Sequence, residues 1–339
     1  MTDRQREPGT IMKAWQIQQL GNPWEELKVV DVEQLSSATG MVRVRVDATD
    51  LNFADILQCQ GRYQVQLELP FTPGMSCAGT IIEVGGDLAY EVGQRVVGPT
   101  VGRSGGYAQE ALMLVEHATR LPADVDSITA CAMHITYGTA WFGLHLRGHL
   151  KPGETVLVLA AAGGVGSAAV ELAKLHGCWV IAAAGGEEKT AACRDLGADE
   201  VIDYSAEDLY TTVMSLTDGR GVDVVYDPVG GEYFDVARRL VAWEGRLLVI
   251  GFASGAIPTV QASHVLVKNY SIVGVHMGGY HQRDPAPFDR CYEELHRLLL
   301  DKKISPLIDE VIGFDGLPAA LKRLADRQII GRLVFDPAR

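Results

Sequence analysis

The chain has 339 residues, 47% of them apolar and 22% charged, with 37 glycines; at roughly 150 residues per domain this length calls for about two domains, and the composition excludes disordered and collagen-like chains. Thirty Lys and Arg stand against 43 Asp and Glu, a formal net charge of -13, so the overall field repels nucleic acid and anionic membrane surfaces and neither is expected as a partner. The longest apolar run, Val156 to Val170, contains three glycines and is too short to cross a bilayer.

In chain order, Met1 to Thr10 carries Asp3, Arg4, Arg6 and Glu7 with no apolar stretch, which reads as a frayed tail and not as a secretory signal. From Met12 to about Leu121 short β-rich pieces are broken by Gly, Pro, Asn and Asp. Met41 to Ala48 (MVRVRVDA) alternates at period two, and Gly79–Val84 and Arg95–Val97 are further strand candidates. These pieces predict a small, mostly antiparallel barrel. After Asp124 the texture changes, with Ser127–Gly143 and Pro152 leading into alternating strands and helices. The strands are Thr155–Ala160, Trp179–Ala183, Glu200–Asp203, Val222–Tyr226, Arg246–Ile250 and a last one around Ser271–Val275; helices include Gly164–His176, Glu187–Leu196 and Phe288–Asp301. Repeated βα units with wholly apolar strands predict a parallel sheet covered on both faces. Val311–Phe314, Leu317–Asp326 and Leu333–Phe335 form a tail too small to stand alone, expected to pack back on the first domain. The expected fold class is therefore α/β, with a β-rich domain over 1–127 completed by 303–339 and a doubly wound domain over 128–302. Six scattered cysteines, Cys59, Cys77, Cys131, Cys178, Cys193 and Cys291, have no paired spacing and fit the reduced thiols of a cytoplasmic protein.

The most informative stretch runs from Thr155 through Ala161, Ala162, Gly163, Gly164, Val165 and Gly166. A buried strand ends in a small-residue turn and a helix starts directly after it. Gly163 lets the backbone approach a pyrophosphate, Gly166 permits close contact of helix and sheet, and the N–H groups at the helix start hold the anion. Ala161 replaces the usual first glycine. The next strand, Trp179 to Ala184, runs into Gly185 and Gly186 without an acid at its tip, where an acid would accept from the ribose hydroxyls of NADH. Lys189 follows beside Glu187 and Glu188, so a 2′-phosphate over Gly185 and Gly186 favours NADPH; the alternative is a solvated helix lysine.

That loop, together with Asn52-Phe53-Ala54-Asp55, Gly61-Arg62-Tyr63, Pro73-Gly74-Met75 and Thr136-Tyr137-Gly138-Thr139-Ala140, resembles the zinc-independent quinone oxidoreductases of the medium-chain dehydrogenase/reductase superfamily, collinearly from about Met12 to the end. The resemblance implies a GroES-like catalytic domain, a Rossmann domain, NADPH as cofactor and a homodimer. It implies that Asn52, Asp55 and Thr136 lie near the nicotinamide, that Gly163 to Gly166 with Ala162 hold the pyrophosphate, and that Gly186, Lys189 and Tyr204 hold the 2′-phosphate. It also implies that Arg332 returns toward the cofactor and that Gly251 and Phe252 form the loop near the nicotinamide. Leu57 stands where relatives often carry a second Tyr, leaving Tyr63 as the aromatic hydroxyl of that loop. Gly186 stands where Ser is common.

Zinc members of the superfamily place a Cys where this chain has Asn52, and a His-Glu pair where it has Met75-Ser76. An amide and a thioether do not assemble that metal environment, so no metal is expected. Cys131 with His134, and His145 with His149, lack further ligands and read as packed or surface residues. Without a Lewis acid, hydride addition favours an acceptor already activated by conjugation: a quinone, or the β-carbon of an α,β-unsaturated carbonyl. Asn52 and Tyr63 are the candidate donors to the developing oxyanion, with Tyr63 or water supplying the proton; Tyr63 reads alternatively as an aromatic gate or packing residue. Asp55 reads as an orienting residue for the loop or cofactor. The alternatives for the whole protein are an enoyl-thioester reductase and a cofactor-binding protein with a structural or interaction role. The loops Gln64–Phe71, Phe252–Pro258 and His276–Pro287, expected to surround the small-molecule acceptor, carry no readable chemical code.

Overall fold

The computed structural model describes residues 11–63, 65–87 and 89–339; the segment read as a frayed tail and Gln64 lie outside the described residues. Two compact units emerge: the chain up to His134 together with Ile308–Arg339, and Ile135–Leu307. The division falls inside the helix Ser127–Trp141, not at its start, because its first two turns pack Cys131 and Ala132 against Ala48, Ala78, Val97 and Val334 of the first unit.

In the first unit β1 (Ile11–Ile17) and β2 (Leu27–Glu33) pair antiparallel. Then follow β3 (Met41–Asp50), β4 (Ser76–Val84), β5 (Arg95–Pro99), β6 (Glu110–Leu114) and β7 (Thr119–Arg120). β3 pairs with β4 and β6, β4 pairs with β5, and a bridge from Thr100 to Met113 ties the end of β5 back to β6. The ring of strands thus closes around one core. The alternation in β3 explains which face is inside: Val42, Val44 and Val46 join Cys77, Ile81, Val96, Ala111 and Met113, while Arg43 pairs outside with Glu83 and Glu110 at 2.8 Å each.

The second unit contributes β8 (Thr155–Leu159), β9 (Trp179–Ala184), β10 (Glu200–Asp203), β11 (Val222–Asp227), β12 (Val241–Val249) and β13 (Ser271–Gly274). They form one parallel sheet in the order β10-β9-β8-β11-β12-β13. The order reverses between β8 and β11, the switch point where doubly wound sheets place ligands at the strands' carboxyl ends. β12 starts earlier than the expected Arg246: Val241 already pairs with Val222, and a register irregularity absorbs the extra residues that read as a turn. Finally β14 (Ile308–Ile312) and β15 (Arg332–Phe335) pair parallel, and β15 lies antiparallel on β3, Val334 opposite Asp50. The tail therefore completes the first unit's sheet, as its small size required. It also brings Arg332 beside the end of β3.

Candidate active site

β3 ends at Asp50 and the chain turns at Asn52, which has extended backbone angles and caps the helix Phe53–Cys59. Three residues on, Asp55 Oδ2 accepts the Asn52 backbone N–H at 2.8 Å, the acid half of a capping box, and also the Tyr107 hydroxyl at 2.8 Å. Asp55 has no exposed surface and its Oδ1 has no partner among the described residues. Burial is the main reason its pKa is pushed up to about 7, against the two hydrogen bonds that favour the anion. Burial and the neighbouring Asp55 in turn raise the Tyr107 phenol. Wholly buried and bonded to the Asn52 backbone and the Tyr107 hydroxyl, Asp55 holds the loop that carries Asn52, in keeping with an orienting role.

The Asn52 side chain is itself tied down. Its Nδ2 donates to the Asp50 carbonyl at 3.2 Å and its Oδ1 accepts from the Arg332 guanidinium at 2.9 Å. Arg332 forms a short ion pair with Asp50 Oδ2, and Ser76 Oγ donates to Asp50 Oδ1 at 2.5 Å. Asp50 is wholly buried and Arg332 nearly so. Arg332, assigned by resemblance to the cofactor, is thus engaged by the loop that carries Asn52. Tyr63 is half-buried beyond the helix, with its carbonyl accepting from Gln66 Nε2 at 3.1 Å.

In the second unit β8 leads into Ala160 at φ +48°, after which the Gly163 N–H donates to the Ala160 carbonyl at 2.9 Å and the helix Gly164–Leu175 begins. A Cβ on Gly166 would stand 2.2 Å from the Ala160 carbonyl oxygen and 2.8 Å from the Ala161 Cα. Only glycine lets the helix start this close to the strand. Gly163, Gly164 and Val165 keep accessible surface while Ala162 is buried beneath them, so the exposed backbone of the first turn is the part that meets an anion. These residues fit a dinucleotide pyrophosphate.

At the end of β9, Gly186 takes φ +91°, a conformation side chains disfavour, and starts the helix Glu187–Asp195. A Cβ on Gly185 would meet the Tyr204 ring at 2.9 Å, so that ring lies over the turn; Tyr233 stands 5.0 Å from it. Lys189 is half-buried on the first turn of the helix. No acid stands at the tip of β9, Gly185 and Gly186 coming before Glu187, yet sheet order brings one: Asp203, from the end of β10, accepts the Gly186 N–H at 2.9 Å. The Gly186 N–H and the Ser205 backbone and hydroxyl hold its carboxyl below the ordinary range. Asp203 directly precedes Tyr204, but only the pairing of β10 with β9 sets it against Gly186. Gly251 and Phe252 follow β12, and a Cβ on Gly230, after β11, would meet the Phe252 ring at 2.9 Å. Thr136 is buried on the helix Ser127–Trp141.

Among the described residues no group of three or more His, Cys, Asp or Glu is arranged to hold a metal, and no helix is long and apolar enough to cross a membrane. Cys131 Sγ is spent on Asp50 Oδ1 at 3.8 Å, and burial with that carboxylate raises its thiol well above the usual range. Met75 is buried.

Residues 38–123 match the profile of the alcohol dehydrogenase GroES-like domain, and residues 164–296 that of the zinc-binding dehydrogenases. A quinone oxidoreductase-like protein 2 homolog from Nematostella vectensis is 37% identical over 321 residues, covering 94% of this chain and 87% of its own. A quinone oxidoreductase from Pseudomonas syringae pv. Tomato superposes with a TM-score of 0.88 at 31% identity, over 96% of this chain and 100% of its own. A mycobacterial protein solved in complex with NADPH gives a TM-score of 0.90 at 29% identity, over 96% of this chain and 100% of its own. The GroES-like and Rossmann units, the glycine turn and these similarities place the chain in the zinc-independent quinone oxidoreductase family of the medium-chain dehydrogenase/reductase superfamily.

Proposed function

We propose that the protein reduces quinones or small α,β-unsaturated carbonyl compounds with NADPH, by hydride transfer and without a metal. The observation that supports it most is the turn from Ala160 to Gly166, where the backbone leaves no room for a Cβ and the first helical turn is open to an anion. Gly185, Gly186, Lys189 and Tyr204 stand at the adjoining strand end, fitting an adenosine 2′-phosphate. NADPH, when bound, supplies the hydride. The chain's own contribution is to hold and orient the acceptor. Asn52 and Tyr63 donate hydrogen bonds to the carbonyl oxygen as negative charge develops on it, and Tyr63 or water returns the proton. Asn52 and Met75-Ser76 are not the donor set of a catalytic zinc, so the acceptor must already be electron-poor.

The proposed assembly is a homodimer through the edge strand β13. Trp243 on β12, and Leu266 and Val267 on the helix Ala262–Lys268 that leads into β13, are 67%, 80% and 75% exposed, and an apolar edge invites pairing or cover.

The test is an acceptor panel of quinones, short enones and enoyl-CoA, followed as NADPH consumption. Turnover of quinones or enones is expected, with no appreciable oxidation of primary alcohols. Turnover of the enoyl thioester alone would replace this reading with an enoyl reductase. Tight NADPH binding with no turnover would favour a binding or structural role.

A further inference from the structure

An asparagine amide has a donor end and an acceptor end, and a reaction that builds negative charge on an acceptor oxygen needs the donor end. At Asn52 the neighbours settle which end goes where. A guanidinium only donates, so the atom 2.9 Å from Arg332 must be the amide oxygen; a backbone carbonyl only accepts, so the atom 3.2 Å from the Asp50 oxygen must be the nitrogen. The two contacts agree. One Nδ2 hydrogen is used by the Asp50 carbonyl and the second remains, among the described residues, as the group this side chain can offer.

The pair that imposes this geometry is expensive to build. Asp50 has no exposed surface and Arg332 is 8% exposed, and burying two opposite charges offsets much of their attraction. The Arg332 Nε is buried with no partner among the described residues, a cost that a lysine neutralising Asp50 would avoid. Ser76 and Cys131 also donate to Asp50, fixing the carboxylate that fixes the arginine. What the arrangement supplies is orientation. We propose that Arg332 and Asp50 are positioning residues for the reaction: they lock the Asn52 amide with Oδ1 on the guanidinium and Nδ2–H presented to the acceptor oxygen. This rests on the assignment of Asn52 to the acceptor.

Removing Arg332 alone would strand a buried carboxylate, so the test uses the charge-neutral pair Asp50→Asn/Arg332→Leu, with and without Asn52→Ala. With 1,4-naphthoquinone and NADPH, kcat should fall about tenfold in the pair, the value of one oriented hydrogen bond. The pair should cause no further fall in the Asn52→Ala background. The second readout needs no cofactor. The chain has three asparagines, so 15N-asparagine labelling with Asn52→Ala as assignment control resolves the Asn52 amide; its two protons should be distinct and slow to exchange in the wild type and averaged in the pair. An unchanged Asn52 signal, or an equal loss of kcat in both backgrounds, would overturn the proposal. If Asn52→Ala leaves kcat untouched, the role of Asn52 itself falls, while the amide signal still reports on the clamp. Should the pair fail to fold, Arg332→Lys keeps the charge and carries the same two comparisons, with the same expected and contrary results.

Discussion

At the scale of single residues, the site depends on where charge is tolerated. Asp55 is wholly buried with its pKa pushed up to about 7, against an unfolded value near 4. The folded state therefore binds the proton more tightly between those values, and stability falls as pH rises through that window. Asp55→Asn keeps an acceptor for the Asn52 N–H and Tyr107 but carries no charge, so thermal melts should show its stability relative to wild type improving from pH 5 to pH 8; a constant difference would refute the assignment. At the adenosine end a charge-assisted contact from Lys189 is worth about 1.5–3 kcal/mol, and roughly 1.4 kcal/mol is tenfold in affinity. Asp203 works against that contact, yet its carboxylate is already engaged by Gly186 and Ser205. NADPH should bind at least about tenfold tighter than NADH, with Lys189→Ala removing most of the difference; equal affinities in the wild type would contradict the assignment. Replacing Tyr63 by Phe removes the hydroxyl and keeps the ring, so a loss mainly in kcat is expected, and a change in KM alone would assign Tyr63 to uniform binding.

At the scale of elements, the β8 turn is the most exacting piece. Gly166→Ala would force a methyl to 2.2 Å from the Ala160 oxygen, and backbone on that side has little freedom to yield. The variant should lose about 1–3 kcal/mol of stability and most NADPH affinity, measured by melting and titration; a variant that binds normally would show that the turn is not the pyrophosphate cradle. This element was legible in the sequence because strand, small-residue turn and helix are contiguous. The Asn52 site was legible only in part. Asn52 and Asp55 sit in one local motif, but Asp50 meets Arg332 across 282 residues, and only the pairing of β15 on β3 brings them together. Tyr107, 52 residues from Asp55, was missed for the same reason. Asp203 escaped notice because it reaches Gly186 from a neighbouring strand, through a sheet order that periodicity does not encode.

At the scale of the whole molecule, alternation at period two in β3 and wholly apolar runs in β8 and β9 were enough to separate a closed β unit from a parallel sheet, since each pattern buries a different number of faces. The boundary was less legible, because a single helix, Ser127–Trp141, continues through it. The proposed dimer should appear as twice the 36.7 kDa chain mass in light scattering at micromolar concentration, and Leu266→Glu/Val267→Glu should shift it to monomer; a wild type at monomer mass would refute the β13 interface. The central claim is hydride transfer from NADPH to a conjugated acceptor. Its most direct measurement follows the label from NADPH dideuterated at C4 into the product of a small enone. Deuterium on the β-carbon of the saturated ketone is the predicted result, and cofactor bound in full with no deuterium in any product would contradict the account.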